Sequence, residues 1–207
     1  MARSKSSRRW LAEHFDDPYV KRAHESGLRS RAAFKLLELD EKYSLLRPGL
    51  RVVDLGAAPG GWSQAAQGVL RGNGRVIALD VLPMEPLEGV SFIQGDFTED
   101  EPLKALEQSL EGEKVGLVLS DMAPNMSGMA VVDQARSMYL AELALAFAET
   151  WLAAGGDFLV KAFQGEGFDN FVRQTRSVFE KTAICKPSAS RPRSREVYVL
   201  GQRRKLQ

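Results

Sequence analysis

A lysine inside an apolar segment is the residue of this chain whose chemistry most needs an explanation. Lys161 lies within residues 158–163, where its five neighbours are all apolar, and lysine is rarely buried without a partner. Burial lowers the pKa of a lysine and a nearby carboxylate raises it, so such a residue can act as a general base or a positioned cation. Asp121 closes another apolar segment, and we expect it to hold the Lys161 ammonium. The alternative is a lysine that reaches solvent at a strand edge.

A second chemical feature is a turn rich in small residues. An apolar run ends in Asp54 and Leu55 and is followed by Gly56-Ala57-Ala58-Pro59-Gly60-Gly61-Trp62. This pattern predicts a strand, a tight turn and a helix start, where an open α/β sheet binds its ligand. The turn matches neither the Gly-x-Gly-x-x-Gly dinucleotide pattern nor a phosphate loop. The helix N-terminus favours an anion, which here could be the single carboxylate of S-adenosylmethionine. An ordinary strand-to-helix turn is the alternative.

Two further acids follow predicted strands. Asp80 could accept both hydroxyls of a ribose, a group that NAD and S-adenosylmethionine share. Asp96 could accept a hydrogen bond from an adenine amino group, and Phe97 beside it could pack on the ring. Each acid alone fits a cap or turn. With Asp54, however, they are three acids that close three successive strands, which predicts a nucleoside cofactor.

Strands and helices alternate along most of the chain. Apolar segments at 51–55, 75–80, 90–95, 115–120 and 158–163 predict strands, and the segments 61–70, 102–110, 133–153 and 168–179 predict helices. Gly155-Gly156 should end the long helix, with Tyr139, Phe147 and Trp151 on its apolar stripe. The last two strands, 182–186 and 196–202, have no helix between them, which favours an antiparallel pair. The predicted fold class is α/β: a mostly parallel seven-stranded sheet with an antiparallel strand near the C-terminus and helices on both faces.

The N-terminal section reads as helical and basic. Asp17-Pro18 predicts a helix through about Glu25, Ser30 is a possible cap for the next helix, and residues 8–15 suggest another short helix. We therefore expect a single domain over 1–207, with a basic helical section of about 1–48 before a core of about 49–203.

The amino-acid composition excludes several classes of protein. The single cysteine, Cys185, excludes an internal disulfide framework, and His14 and His24 lie too far away in sequence for us to predict a metal site. The sequence has no membrane-length apolar run and no signal-peptide pattern, so we expect a cytoplasmic protein. No feature demands more than a monomer.

Charge is segregated along the chain. The net charge of +1 divides into +12 over residues 1–35 and 181–207 and −11 over residues 36–180. Basic residues precede Lys35 and Glu196, and this pattern favours phosphate contacts to single-stranded or looped RNA. Solvated polar tails are the alternative. The basic residues are Arg8, Arg9, Lys21, Arg22, Arg29, Arg31, Arg191, Arg193 and Arg195.

Three segments together resemble one known family. They are 54–62, Asp121-Met122-Ala123-Pro124-Asn125 and Val160-Lys161-Ala162-Phe163, and the likeness runs from about residue 19 to residue 202. The chain resembles the FtsJ/RrmJ family of S-adenosylmethionine-dependent RNA ribose 2′-O-methyltransferases, which implies a Rossmann-like methyltransferase fold. The family's Lys-Asp-Lys-Glu catalytic tetrad is matched by Lys35, Asp121, Lys161 and Glu196.

The resemblance also gives roles to residues that are weak signals alone. Lys35 otherwise fits a polar helix position, and Glu196 an edge-strand acid. With the resemblance, we expect the tetrad to align and deprotonate a ribose 2′-hydroxyl, with no metal. The predicted cofactor-binding residues are Asp54, Gly56, Ala57, Pro59, Gly60, Gly61, Trp62, Asp80, Val81, Asp96, Phe97 and Asp121.

By its length the chain is similar to bacterial members of the family, which implies a uridine in the A-loop of large-subunit ribosomal RNA as the target, within a ribosomal subunit or its precursor. Transfer RNA and mRNA caps are the alternatives within the family. Three other classes remain: a non-catalytic RNA-binding module, an NAD-dependent dehydrogenase, and a cytosine C5-methyltransferase, for which Cys185 is a poor nucleophile candidate.

Overall fold

A seven-stranded sheet in the order β3-β2-β1-β4-β5-β7-β6 forms the centre of the computed structural model, which describes residues 17–191 and 193–206. The predicted helix at 8–15, with Arg8 and Arg9, lies outside the described residues. The strands are β1 Arg51–Leu55, β2 Arg75–Asp80, β3 Val90–Gln94, β4 Val115–Ser120, β5 Leu152–Phe163, β6 Phe179–Cys185 and β7 Glu196–Arg204. The helices are α1 Pro18–Glu25, α2 Ala32–Tyr43, α3 Gly61–Leu70, α4 Asp100–Ser109, α5 Ala130–Trp151 and α6 Phe168–Val178.

The strand directions confirm the predicted fold class. Strands β3, β2, β1, β4 and β5 pair in parallel, whereas β7 is antiparallel to both of its neighbours, β5 and β6. The carboxyl ends of the parallel strands therefore meet at one edge of the sheet, and the antiparallel β7 starts at that edge with Glu196, opposite Phe163. This is the edge at which doubly wound sheets bind ligands.

Side-chain alternation along the strands builds a core on each face. Val53 of β1 faces α4, α5 and α6, while its neighbour Val52 faces α2 and α3, as the two-residue period of a strand requires. Leu36 of α2 and Leu70 of α3 are fully buried in the second core. The N-terminal helix α2 is thus part of the main packing and is fixed relative to the sheet edge.

The end of α5 differs from the prediction. The helix spans Ala130–Trp151, and Gly155-Gly156 lies inside β5 instead of ending the helix. The register of β5 on β4 jumps from Val115↔Leu152 to Leu117↔Asp157, so the intervening residues form an irregular bulge. Gly155 has a φ of 76° there, a backbone conformation that suits glycine.

The predicted apolar stripe of α5 is confirmed in part. Phe147 is buried in the core and Trp151 packs against it, whereas Tyr139 is 53% exposed. Tyr139 borders a large cavity at the carboxyl edge of the sheet, so its ring lies beside that cavity and not in the core.

At the N-terminal section, Asp17 caps α1 as predicted, because its Oδ1 accepts a hydrogen bond from the Tyr19 amide at 2.9 Å. Ser30 does not cap α2, whose N-cap position is Arg31 without a side-chain cap hydrogen bond.

None of the helices in the described part of the chain is long and apolar enough to cross a membrane.

Candidate active site

The apolar strand β5 holds Lys161 next to Asp121, as the sequence predicts. Lys161 Nζ lies 3.3 Å from Asp121 Oδ1 and donates a hydrogen bond of 2.5 Å to the Asp121 backbone oxygen. The Lys161 side chain is only 9% exposed. The strands explain this contact, because β4 and β5 are neighbours and both residues lie at their carboxyl ends. The amine is therefore held at one position and is not free at a strand edge.

A second ion pair completes the predicted tetrad. Lys35 Nζ on α2 lies 2.6 Å from Glu196 Oε1 at the start of β7, and Ser190 donates to the same oxygen at 3.1 Å. Burial alone would raise the pKa of Glu196, but the charges of Lys35 and Lys161 and these hydrogen bonds lower it below its usual value. Glu196 is therefore ionised at neutral pH.

Tyr198 joins the two ion pairs, and the sequence analysis missed it. Lys35 Nζ donates to Tyr198 Oη at 3.1 Å, and Tyr198 donates to Asp121 Oδ1 at 3.0 Å. The ring is fully buried. Burial, and then the charges of Asp121 and Glu196, raise the pKa of Tyr198 well above its usual value, so the hydroxyl stays protonated. The available signal was its position two residues after Glu196, which puts both side chains on one face of the strand.

A cavity of about 690 Å³ at this edge is open to solvent. It runs from the acids at the ends of β2 and β3 to the Lys161–Asp121 pair. Six of the predicted cofactor-binding residues line it: Gly56, Asp80, Val81, Asp96, Phe97 and Asp121.

The acids in this cavity are oriented by the backbone. Asp80 accepts hydrogen bonds from the amides of Ala58 and Leu82 at 2.9 and 2.8 Å, which ties β2 to the glycine-rich turn. Asp96 Oδ1 accepts from the amide and the hydroxyl of Thr98 at 2.8 and 2.7 Å. Each carboxylate retains lone pairs for a ligand. Phe97 packs edge-on against Phe147, with ring centroids 5.7 Å apart, and forms part of the cavity wall.

A smaller cavity of about 190 Å³ lies under the glycine-rich turn. Ala57, Pro59, Gly61 and Trp62 line it, and it shares Gly56 and Asp121 with the larger cavity. A Cβ on Gly61 would overlap Ser30 Oγ, so a larger residue at that position would require the Ser30 hydroxyl to move. The Ser30 hydroxyl is buried with no partner among the described residues.

The remaining predicted cofactor residues, Asp54 and Gly60, lie beneath and beside the turn and line neither cavity. Asp54 is fully buried, and its Oδ2 accepts a hydrogen bond of 2.7 Å from Ser63. Burial, helped by the charges of Asp121 and Asp80, raises the pKa of Asp54 to about 7. Trp62 donates from Nε1 to the Ala32 carbonyl at 2.8 Å, which connects the turn to the helix that carries Lys35.

A doubly wound sheet with a nucleoside-sized cavity and a buried lysine–carboxylate tetrad defines a Rossmann-like group-transfer enzyme. Residues 28–204 match the family model of FtsJ-like methyltransferases, and the chain belongs to that family. The resemblance noted from the motifs is thereby confirmed, and the protein is a methyltransferase.

Two curated relatives match over almost their full length. The chain is 57% identical over 202 residues to "Ribosomal RNA large subunit methyltransferase E" of Stutzerimonas stutzeri, with 98% of each chain covered. It is 58% identical over 205 residues to the protein of the same name from Methylobacillus flagellatus, with 99% of each chain covered. A crystal structure described as a ribosomal RNA methyltransferase of Plasmodium falciparum superimposes with a TM-score of 0.77 at 29% identity, covering 86% of this chain and 100% of that one.

Proposed function

We propose that this methyltransferase transfers the methyl group of S-adenosylmethionine to the 2′-hydroxyl of a uridine ribose in the A-loop of large-subunit ribosomal RNA. The observation that carries the proposal is the position of Asp121. It lines both cavities and at the same time holds Lys161, so a donor bound in the cavities ends at the tetrad. The near full-length similarity to proteins named large-subunit methyltransferases supports the RNA substrate.

The residues of both cavities fit S-adenosylmethionine. In the larger cavity Asp80 and Asp96 offer carboxylate oxygens to ribose hydroxyls and to an adenine amino group. In the smaller cavity the start of α3 and the unpartnered Ser30 hydroxyl offer hydrogen-bond donors to the carboxylate of the amino-acid end. When bound, the cofactor supplies a methyl group already activated on a sulfonium.

The tetrad then has two tasks, alignment of the ribose and management of one proton. Alignment alone can lower a barrier by about 7–11 kcal/mol. Once the tetrad has lost one proton, the Lys161 amine orients the 2′-hydroxyl and receives its proton, while Asp121 keeps the amine in place. The charges of Lys35 and Glu196 set the electrostatic field around the 2′-hydroxyl.

The described contacts favour one domain with a catalytic N-terminal section. Lys35 lies on α2, which packs on the sheet through Leu36 and Leu39 and reaches Glu196 on β7. We infer that the section of about 1–48 and the core of about 49–203 work as one methyltransferase domain, because the tetrad needs both.

The test is methyl transfer from labelled cofactor to large ribosomal subunits that lack the modification, followed by mapping of the modified nucleotide. We expect one label, on a ribose of the A-loop. Transfer only to transfer RNA, or to a base, would contradict the substrate or the chemistry. Cofactor binding without transfer to any RNA would favour the non-catalytic module.

A further inference from the structure

A third cavity lies beside the Lys35–Glu196 pair. It has a volume of about 230 Å³ and is lined by Arg31, Lys35, Arg191, Ser194 and Glu196. It shares Arg31 with the small cavity under the glycine-rich turn but shares no residue with the large one. A ligand in it would therefore touch the tetrad at Lys35 and Glu196, without contacting the residues that line the large cavity.

The charges around this cavity leave room for one anion. Lys35 and Glu196 neutralise each other at 2.6 Å. Arg31 and Arg191 share a single carboxylate, because Asp17 Oδ2 forms an ion pair with Arg31 and lies 3.9 Å from Arg191 Nε. These five groups together carry one positive charge. Because two guanidinium groups share one carboxylate, they repel each other across the cavity. Burial, and next the charge of Arg191, lower the pKa of Arg31. A phosphodiester carries the single negative charge that would relieve this repulsion.

The cavity is held in shape before any ligand arrives. Asp17 is anchored at the N-cap of α1 through the Tyr19 amide, and its side chain is only 9% exposed. Arg31 also donates to the Ala189 carbonyl, which fixes the β6–β7 loop that carries Arg191. On the same loop, Ser188 donates from its amide to Glu38 of α2 at 2.9 Å. A preorganised site loses little entropy on binding, so its groups can contribute strongly to affinity.

Of the two arginines that line this cavity, Arg191 is the more accessible to a ligand. Its side chain is 34% exposed, against 16% for Arg31, so it can be reached from solvent. An arginine guanidinium binds phosphate through parallel N–H donors, and a lysine in its place would act only as a point charge.

We propose that this cavity binds one phosphodiester of the RNA next to the ribose that is methylated, with Arg191 as its main ligand and Asp17 as the positioning residue for Arg191 and Arg31. The inference rests on the proposed function, because it needs an RNA substrate. The phosphates attached to the target nucleotide are the anions nearest to its 2′-hydroxyl, and the cavity touches the tetrad through Lys35 and Glu196.

The experiment measures methyl transfer to large ribosomal subunits that lack the modification, at saturating cofactor, with cofactor affinity measured separately by calorimetry. Arg191→Gln should lower kcat/KM by about 10- to 100-fold, the effect of losing hydrogen bonds to a charged group. It should also lower the single-turnover rate, and Arg191→Lys should recover part of the loss. Arg173→Gln removes the same charge from an exposed position on α6, outside the cavity, and is the matched control. It should change KM by a few-fold only.

Asp17→Ser tests the positioning role, because serine keeps a helix N-cap but removes the carboxylate. It should lower kcat/KM more in the wild-type background than in Arg191→Gln, because part of its effect acts through that arginine. Equal effects of Arg191→Gln and Arg173→Gln, or additivity of the Asp17 and Arg191 changes, would overturn the proposal. A loss of cofactor affinity in Arg191→Gln would instead assign the cavity to the cofactor carboxylate. A wild-type enzyme that transfers no methyl group to these subunits would contradict the proposed function before any variant is compared.

Discussion

The buried Lys161 amine contacts two oxygen atoms of Asp121. Its role in methyl transfer can be tested separately from cofactor binding. Lys161→Ala should reduce single-turnover transfer by about 10²- to 10⁴-fold, the usual contribution of a proton-transfer group. Cofactor affinity should be unchanged, because Asp80 and Asp96 remain in place. Lys104→Ala, at an exposed position on α4, is the control. A Lys161→Ala enzyme with near-normal single-turnover rates would remove this residue from the mechanism.

Asp54 gives a prediction about stability and pH. The pKa of Asp54 is raised to about 7 in the folded protein. Between the lower pKa of the unfolded state and pH 7, the folded protein therefore keeps a proton on Asp54 that the unfolded chain has released. The stabilisation is complete below the unfolded pKa and is lost as the pH rises through 7. Relative to Asp54→Asn, the wild-type free energy of unfolding should fall by about 3 kcal/mol between pH 5 and pH 8. Urea unfolding of both proteins at each pH measures this, and parallel pH curves would contradict it.

At the scale of elements, Asp80 connects the end of β2 to the glycine-rich turn and to the cavity. Asp80→Ala removes the acceptor for the Ala58 and Leu82 amides as well as any bond to the cofactor ribose. We expect cofactor affinity to fall at least tenfold by calorimetry, since at least one hydrogen bond to a charged group is lost. Asp100→Ala, an exposed acid in the first turn of α4, should leave it unchanged. Unaltered affinity in Asp80→Ala would count against the ribose contact.

Elements with a strong local signal were predicted to the residue, and those set by tertiary packing were not. The bounds of β1, α3, β2 and β4 agree with the apolar runs and the glycine-rich turn that define them. The predicted end of α5 was wrong because a glycine pair fits a β-bulge as well as the end of a helix. The pairing of β5 with β4 decides between these two structures. Tyr198 was missed for a related reason. Its position two residues after Glu196 places it on the same face of β7, but only the tertiary packing brings its hydroxyl to Asp121 after the end of β4.

At the scale of the whole molecule, the fold converts segregated charge along the chain into a basic region beside the tetrad. Arg31 near the N-terminus and Arg191 near the C-terminus are far apart in sequence, yet both reach Asp17. The intervening acidic part of the chain forms most of the sheet and of the helices α3 to α5. Positive charge therefore lies beside the tetrad, and if the proposed RNA substrate binds there, phosphate contacts should supply much of the binding free energy.

This charge distribution predicts a steep salt dependence of RNA binding. The logarithm of the binding constant should fall linearly with the logarithm of the salt concentration, with a slope that counts the phosphates contacted. The double variant Arg193→Gln/Arg195→Gln should reduce that slope by up to about two. The double variant Lys104→Gln/Arg173→Gln removes the same charge from exposed helix positions on α4 and α6 and should leave the slope unchanged. Filter binding to large-subunit RNA at four or five salt concentrations measures all three slopes. A flat wild-type response, or equal slopes for the two double variants, would mean that net charge alone governs RNA binding.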